Sequence, residues 1–369
     1  MERERNNSVV EVHDERDEYL AKWEIGVLTS ILLVTLVGNG LVLFSLYVRK
    51  HSNRKKITRM YFFILHLCIA DLLTGILDVL PQLAWDITFR FQGGPLLCKV
   101  VKFLQPLGPY LSSYILTATA IDRYHAICYP LSYCSTTSRR SRIMVYCTWI
   151  IAILLCIPQI FIFSYQEILP NVWDCWATFE LPYGERTYVT WYSITVFLLP
   201  FVVLVYTYTS ICIGIWRSNN ISEISDLKRN KRNANVLPGN RSPRISKAMI
   251  NTVKQTIGVI TLYVITSTPF IGCQLWATWD PNASSSSFMK GPAFTILALL
   301  SSLTSCFNPW IYLSFNRELR SILMSYISRR DDYSLTYDKD NRRSTSNGTS
   351  VKSSLMSRMS RYAGSVIFR

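Results

Sequence analysis

The chain has 369 residues and carries 39 Lys and Arg against 24 Asp and Glu, which gives a formal net charge of +15. Its mean hydropathy is positive, at +0.18. This composition excludes a disordered or collagen-like chain, and 10 Cys are too few for a small disulfide scaffold. In a soluble protein such a basic excess would indicate nucleic acid or an anionic surface as partner. The position of the charges along the chain excludes that interpretation.

Seven long stretches are apolar and nearly free of charged residues. They are Ile25–Val48, Tyr61–Ala84, Cys98–Cys128, Ile143–Phe163, Trp191–Trp216, Val253–Trp276 and Pro292–Phe315. Each reaches the roughly 20 residues that a helix needs to cross a ~30 Å hydrocarbon core. One such stretch could be a buried helix of a soluble protein, but seven separated by charged connections predict an all-α membrane protein, a seven-transmembrane helix bundle.

Basic residues are divided unequally between the two sides of this predicted bundle. On one side, the amino terminus and the connections 82–97, 164–190 and 277–291 hold 7 Lys and Arg. On the other side, segments 49–60, 129–142, 217–254 and 316–369 hold 29. Cytoplasmic segments carry the excess of basic residues. The sequence therefore predicts a multi-pass plasma-membrane protein with an extracellular amino terminus and a cytoplasmic carboxyl terminus.

The regions outside the spans have distinct compositions. Residues 1–24 are predicted to form an extracellular tail without the apolar core of a cleavable signal peptide, and residues 25–315 the transmembrane domain. Residues 316–328 place apolar side chains at helical spacing between arginines, which predicts a short amphipathic eighth helix on the membrane surface. Residues 329–369 are rich in Ser, Thr and Arg and are predicted to be a disordered cytoplasmic tail. Asn6 and Asn282 begin glycosylation sequons on the outer side.

Ionisable groups inside a bilayer are costly and are functional candidates by default. They are Asp71, Asp78, Lys99, Lys102, Asp122 and Arg123, with Glu24 at an entrance. Asp71 lies at the same depth as Ser112 and Asn308, and their oxygen atoms are hard ligands that would suit a sodium ion. A hydrated structural network is the alternative interpretation of this group.

Two further patterns lie in the spans. Asp122-Arg123-Tyr124 ends the third span, and it is either a functional group or an ordinary interfacial ion pair. Pro200, Pro269 and Pro309 interrupt the fifth, sixth and seventh spans. Because proline removes a helical hydrogen bond, these positions are predicted kinks and hinges.

Cysteine and histidine spacing indicates no metal centre, and no nucleotide-binding glycine loop or nucleophile motif is present. The sequence therefore predicts no enzyme, no nucleic-acid partner and no cofactor apart from the candidate sodium ion. Cys98 and Cys175 both fall on the predicted outer side, where a disulfide between them is feasible.

Taken together, these patterns resemble the rhodopsin-like G-protein-coupled receptors across the whole membrane region. The matching residues are Gly38-Asn39, Leu67-Cys-Ile-Ala-Asp71, Asp122-Arg-Tyr124, Trp149, Pro200 with Tyr208, Thr268-Pro269-Phe270 and Asn308-Pro-Trp-Ile-Tyr312. The resemblance implies that Asp122, Arg123, Tyr124, Tyr208, Asn308, Pro309 and Tyr312 take part in activation and G-protein coupling. It also implies arrestin, receptor kinases and membrane lipid as partners.

Longer strings on the outer side look like the vasopressin/oxytocin receptors. They are Leu80-Pro-Gln-Leu-Ala-Trp-Asp-Ile-Thr-Phe-Arg-Phe91, Asp174-Cys-Trp-Ala-Thr-Phe179, Tyr188-Val-Thr-Trp191 and Trp279-Asp-Pro-Asn-Ala283. The ligands of that family are amidated nonapeptides with a disulfide ring. The family's ligand-contact positions match Glu24, Gln82, Lys102, Gln105, Gln159 and Gln274, and the family's output implies Gq-type calcium signalling through a heterotrimeric G protein.

The chemistry of these residues suits a peptide. Glutamine both donates and accepts hydrogen bonds, as the peptide backbone does, so four glutamines facing one cavity would read backbone groups. Lys102 adds a cationic donor. Trp85, Trp176 and Phe270 are predicted to cover apolar ring side chains, and Asp86 with Glu24 to attract a basic group at the entrance. Taken singly, each glutamine is more commonly a packing residue.

One departure from the family and two competing functions remain open. The family has Cys-Trp before the proline of the sixth span, where this chain has Thr266-Ser267. A transporter or channel would use the intramembrane charges as a pathway, but the repeats that mark many transporters are absent from the sequence. A receptor for a related neuropeptide, such as cardioactive peptide or neuropeptide S, is the closer alternative and is compatible with His125-Ala-Ile127.

Overall fold

The structure is a computed structural model that describes residues 18–51, 57–129, 139–230, 247–286, 288 and 292–326. Within these ranges seven helical segments form a membrane bundle and are called spans 1 to 7 in chain order. The predicted seven-helix fold is confirmed. Asn6 and the predicted tail 329–369 lie outside the described residues, whereas Asn282 is described and exposed.

The bounds of the helices differ from the predicted stretches mainly by extra turns at their ends. Spans 1 and 6 are single helices, α1 (Glu18–His51) and α10 (Lys247–Trp279). Three spans consist of two helices each: span 3 of α4 (Gly94–Leu104) and α5 (Leu107–Cys128), span 4 of α6 (Arg139–Cys156) and α7 (Pro158–Ile162), and span 7 of α11 (Pro292–Ser301) and α12 (Leu303–Phe315). The other two contain a π-helical turn between two helices: span 2 is α2 (Arg59–Thr74), the turn Gly75–Val79 and α3 (Leu80–Thr88), and span 5 is α8 (Gly184–Ser193), the turn Ile194–Leu198 and α9 (Leu199–Asn230). Residues 317–326, within the predicted eighth helix, are also helical.

Span 3 differs from the others in composition and position. In the described part of the chain, length and apolar composition alone identify six helices that could cross a membrane, and span 3 is not among them. A turn at Gln105-Pro106 divides it, and Leu107–Cys128 packs against spans 2, 4, 5 and 6. Because most residues of Leu107–Cys128 are buried by these neighbours, this part of span 3 can hold more polar side chains than the lipid-facing spans.

Proline accounts for the two π-helical turns. Each of these turns ends two residues before a proline: Gly75–Val79 before Pro81, and Ile194–Leu198 before Pro200. A proline ring clashes with the carbonyl four residues earlier and supplies no N–H, so the preceding turn widens. The wider turn in span 2 contains Asp78, one of the ionisable residues that the sequence placed inside the membrane.

The carbonyls released by proline are used as acceptors between spans. In span 7, Pro309 leaves the Ser305 carbonyl without its helical donor, and the Asn39 amide of span 1 donates to it at 3.1 Å. In span 5, the Val196 carbonyl accepts the Tyr263 hydroxyl of span 6 at 2.8 Å. Two of the three prolines predicted as kinks, Pro200 and Pro309, therefore leave acceptors through which neighbouring helices are joined.

A β-hairpin, β1 (Phe163–Leu169) paired antiparallel with β2 (Val172–Ala177), follows span 4. The sequence predicted only a connection here. The predicted disulfide is confirmed, since Cys175 of β2 bonds to Cys98 at the start of span 3. The buried Asp174 carboxylate adds a second anchor, because it accepts hydrogen bonds from the backbone N–H of Phe91 at 3.1 Å and of Cys175 at 2.8 Å. We call this end of the bundle the hairpin end.

At the opposite end, which we call the Arg123 end, a polar network joins span 1, span 2 and the residues after span 7. Arg49 forms an ion pair with Glu318 at 3.2 Å and stacks over the Tyr61 ring at 4.2 Å. The Tyr61 hydroxyl donates to Glu318 at 2.9 Å. The network fixes the chain as it leaves span 7.

Close backbone contact, and not side-chain packing alone, joins several spans. A Cβ on Gly108 of span 3 would lie 2.3 Å from the Thr74 hydroxyl of span 2, and a Cβ on Gly38 of span 1 would lie 2.7 Å from the Pro309 ring. Only glycine leaves room for these approaches. Gly38 therefore allows span 7 to approach span 1 closely, and the neighbouring Asn39 donates a hydrogen bond to the same helix.

Candidate functional site

A cavity of about 640 Å³ lies between the spans toward the hairpin end. Every span contributes to its wall. Eight of the ten predicted ligand-binding residues line it: Glu24, Gln82, Asp86, Lys102, Gln105, Gln159, Phe270 and Gln274. The structure therefore brings together residues that are up to 250 positions apart in the sequence (24 to 274).

The two predicted tryptophans lie elsewhere. Trp85 is behind the wall, where its ring packs on Phe91 and supports the Lys102 ammonium 4.4 Å from the ring centroid. Trp176 is on β2, is 58% exposed and does not line the cavity. The neighbouring Cys175 is buried and turns inward to the disulfide instead.

The four glutamines differ in their pairing. Gln159 donates to the Tyr188 hydroxyl, and Gln82 donates to the Asp86 carboxylate at 2.9 Å. Among the described residues, no side-chain hydrogen bond joins Gln105 or Gln274 to a protein partner, although both amides line the cavity. Two amide groups are thus held by their neighbours and two are available to a ligand.

Several cavity residues were not predicted as ligand contacts. They include Asp78, Tyr188, Tyr192, Tyr263 and Ser267. Asp78 was recognised only as a charge within the membrane, and its π-helical turn leaves no simple periodic signal. The tyrosines gave no signal except for Tyr188, which lies in one of the family-like strings. The cavity is accordingly lined by more hydroxyl groups than the sequence indicated.

The cavity continues to the middle of the bundle. Ser112, Ser267, Thr304 and Ser305 line its deepest part. Ser267 occupies the position where the resembled family has tryptophan, so no indole closes this floor. The adjacent Thr266 hydroxyl lies 2.5 Å from the Thr304 hydroxyl and ties span 6 to span 7 at the same level.

The floor meets a buried carboxylate. Asp71 has no exposed surface and accepts three hydrogen bonds: from Ser112 at 2.9 Å, from Ser305 at 3.1 Å and from Asn308 at 2.9 Å. Spans 2, 3 and 7 are therefore joined at one carboxylate. Two of the three donors also line the cavity, so the cavity and this Asp71 network share side chains.

The Asp71 network fits the chemistry of a small hard cation. The side-chain oxygens of Asn39 and Asn308 are buried without a hydrogen-bond partner among the described residues. Together with the Asp71 carboxylate and the two serine hydroxyls, they form a donor set composed of oxygen alone, which suits sodium. No cluster of three His, Cys, Asp or Glu side chains occurs in the described part of the chain.

Three of the predicted activation residues, Asp122, Arg123 and Tyr208, lie toward the Arg123 end. Arg123 donates to Asp122 at 2.5 Å, and both are buried. The Ser141 hydroxyl of span 4 also donates to Asp122, at 3.4 Å. Tyr208 of span 5 lies near Arg123 and the Thr256 hydroxyl of span 6.

The remaining activation residues divide between the surface and the core. The Tyr124 ring packs against the rings of Tyr129 and Tyr206. The Tyr312 hydroxyl is buried and has no hydrogen-bond partner among the described residues. Asn308 belongs to the Asp71 network, and Pro309 to the contact with Gly38. These residues connect the two ends of the bundle but do not form one cluster.

Comparison with known proteins agrees with this arrangement. Residues 38–312 match the family of seven-transmembrane receptors of the rhodopsin type. The chain is 41% identical to an isotocin receptor of Catostomus commersonii over 81% of this chain and 76% of that receptor. It is 40% identical to the vasopressin V1b receptor of Mus musculus over 82% and 75% of the two chains. It is 39% identical to a mesotocin receptor of Rhinella marina over 94% and 87%.

The family match begins in span 1 and ends in span 7, so it includes the Arg123 end and the cavity residues from Thr74 to Ser305. The protein is therefore a multi-pass plasma-membrane receptor and not an enzyme. The chain belongs to the rhodopsin family of seven-transmembrane receptors, within the group that contains the isotocin, vasopressin and mesotocin receptors.

Proposed function

We propose that this receptor binds an amidated, disulfide-ringed nonapeptide of the vasopressin/oxytocin type in its cavity and activates a heterotrimeric G protein. The observation that carries the proposal is that two amides without a side-chain hydrogen bond to the described residues, Gln105 of span 3 and Gln274 of span 6, line the cavity. A cavity of about 640 Å³ is large enough for part of a nonapeptide. Amide groups that lack a protein partner are stabilised when peptide N–H and C=O groups bind them.

The proposed orientation places the hairpin end outside the cell and the Arg123 end inside. The unequal distribution of basic residues supports it. Glu24 and Asp86 line the cavity at its wall of spans 1 and 2. A peptide with a basic residue or a free amino terminus would be attracted to this wall, because opposite charges steer association. Exposed Asn282 is proposed as a glycosylation site on the same side, as is Asn6.

Activation is proposed to shift the receptor between two conformations. The hydrogen bond from Tyr263 to the Val196 carbonyl lies in the cavity wall and joins spans 5 and 6. A peptide that contacts this wall favours the conformation in which span 6 moves outward and Arg123 exchanges Asp122 for a G-protein helix. The efficacy of the peptide is then its difference in affinity for the two conformations.

The remaining partners follow from the same arrangement. Sodium is proposed to bind at Asp71 with Ser112 and Asn308, where it would supply a positive charge that stabilises the buried carboxylate. Arrestin and receptor kinases are proposed to bind the Arg123 end, and membrane lipid to cover the basic segments there. We propose Gq as the G protein, with calcium release as the output.

One experiment tests the ligand and the output together. Cells that express the full chain are exposed to vasopressin, isotocin and mesotocin, and to cardioactive peptide and neuropeptide S, while calcium and cAMP are recorded. We expect a calcium response to at least one ring nonapeptide and no cAMP rise. A response only to the last two peptides would assign the receptor to the alternative ligand class, and a cAMP response alone would replace Gq with Gs.

A second measurement tests the site. Binding of the most active nonapeptide is measured with Gln274→Ala, and with Thr29→Ala as a control that lies on the exposed face of span 1. The first change should weaken binding by about tenfold, the effect of one lost hydrogen bond in a desolvated site. Equal affinities for both variants would contradict the proposed position of the peptide.

A further inference from the structure

Asp78 and Lys102 are opposite charges that line the same cavity. Asp78 projects from the π-helical turn of span 2, and Lys102 from the last turn of the first helix of span 3. They interact electrostatically, but no ion pair joins them, and no hydrogen bond from the described residues satisfies Asp78. A carboxylate this deep in a membrane protein is costly unless a partner satisfies it.

Lys102 is held in place without using its hydrogen-bonding capacity. Its ammonium group lies 4.4 Å from the ring centroid of Trp85 and 5.2 Å from that of Phe163. Two aromatic faces stabilise the charge by cation–π attraction and fix its position. The nearby Asp174 carboxylate is already occupied by Arg90 and two backbone N–H groups. The N–H donors of Lys102 are therefore directed to a cavity ligand.

A carboxamide is a neutral group that can satisfy both charges at once. Its C=O accepts a hydrogen bond from an ammonium group, while its N–H donates to a carboxylate. A carboxylate in the same place would gain the first contact but would face Asp78 with a like charge and no donor. The other cavity acids cannot substitute for Asp78 here, because Asp86 accepts from Gln82 at 2.9 Å and Glu24 lies on span 1.

We propose that Asp78 and Lys102 form a two-charge subsite for one carboxamide of the bound peptide, and that Asp78 makes this subsite reject the corresponding carboxylic acid. The proposal rests on the proposed function, since it concerns the same peptide. It assigns to Asp78 a role in specificity that its position inside the membrane alone does not indicate.

The test compares amide and acid forms of one peptide. Vasopressin and isotocin are prepared with each carboxamide changed in turn to the acid: Gln to Glu, Asn to Asp, or terminal amide to free carboxylate. Displacement of radiolabelled parent peptide gives an acid-to-amide ratio of Kd values for each position. For at least one position we expect the full-length receptor to disfavour the acid by about 100-fold, because a site built for a donor leaves charge unpaired when the donor is lost.

Asp78→Asn should reduce that ratio at least tenfold, because the asparagine amide can donate to the acid and no longer repels it. Glu167→Gln removes a negative charge from the exposed face of β1 and should leave the ratio unchanged. If the parent peptide binds and the ratio at every position is the same in the wild type and Asp78→Asn, the proposal is overturned. The same conclusion follows if the wild type discriminates at no position.

Lys102→Gln provides an independent test should Asp78→Asn fail to reach the cell surface. Removing the cation leaves an acid analogue facing Asp78 alone, so the ratio should widen about tenfold; an unchanged or narrower ratio overturns the proposal. Failure of every ring nonapeptide to bind the wild type is a different result, which contradicts the proposed function itself.

Discussion

The cavity and the Asp71 network are adjacent regions of the bundle, both rich in polar side chains, yet they treat those side chains differently. In the Asp71 network, three donors from two other spans satisfy one carboxylate. In the cavity, Gln105, Gln274 and Asp78 have no side-chain hydrogen bond to the described residues. Polar side chains that hydrogen-bond across spans hold the helices together, whereas those without such a bond in an accessible cavity can bind a ligand. This difference predicts which substitutions affect stability and which affect binding.

The largest expected effect is on signalling. Arg123→Ala removes the buried cation that pairs with Asp122, and we expect G-protein activation to fall at least about 100-fold while peptide affinity changes less than about threefold. Calcium release and radioligand binding are measured at matched surface expression. Arg139→Ala removes an exposed cation at the same end and should leave both values unchanged. Full signalling by Arg123→Ala would remove this residue from the activation group.

The next effect separates the cavity from the network directly. Gln105→Ala should weaken nonapeptide binding by about 10- to 30-fold without lowering thermal stability, because no protein hydrogen bond is lost. Gln166→Ala on β1 removes the bond to Thr178 outside the cavity and should change affinity less than about threefold. If purified Gln105→Ala instead melts at a lower temperature and keeps its peptide affinity, then Gln105 is bonded within the protein and does not bind the ligand.

The opposite pattern is expected for Asn39. Asn39→Ala leaves the Ser305 carbonyl without its donor, which should cost about 1–3 kcal/mol of stability and affect peptide affinity little. Thermal melting in detergent measures the change. Thr29→Ala is the matched control on span 1, because its hydroxyl donates only within its own helix, to the Ile25 carbonyl. Equal melting temperatures for the two variants would show that the bond between spans 1 and 7 contributes nothing.

The smallest effect concerns a paired group that is partly exposed. Glu318→Gln weakens the ion pair with Arg49 but keeps an acceptor for Tyr61, so about 1 kcal/mol or less should be lost. The melting temperature should fall slightly, and less at high salt, since screening already weakens the pair. A larger loss that is insensitive to salt would show that Glu318 behaves like the buried acids.

Sequence patterns predicted which residues lie in the spans and the cavity better than they predicted which polar side chains are paired. Apolar stretches predicted the spans, the resemblance supplied six of the residues that line the cavity, and side-chain chemistry supplied two more, Asp86 and Phe270. Whether a polar residue is paired could be predicted only in part. Gln82 lies four positions before Asp86 in one helix, a spacing at which side chains meet. No comparable pattern shows that Gln105 lacks a side-chain hydrogen bond. The hairpin was missed because its strands are short and their pairing depends on contacts outside them. Trp176 was placed in the cavity because chain position does not reveal the face of a strand.

The prolines of spans 5 and 7 have a consequence for how the protein tolerates mutation. Each exposes a main-chain acceptor, at Val196 and at Ser305, that a neighbouring span uses. Side-chain replacement at either acceptor position leaves its carbonyl in place, so the link survives sequence drift there. Replacing the proline instead restores an N–H that competes for the carbonyl from within the helix. These two contacts between helices therefore tolerate substitution of the acceptor residues Val196 and Ser305. They are weakened by substitution of Pro200 and Pro309, four positions later in the chain.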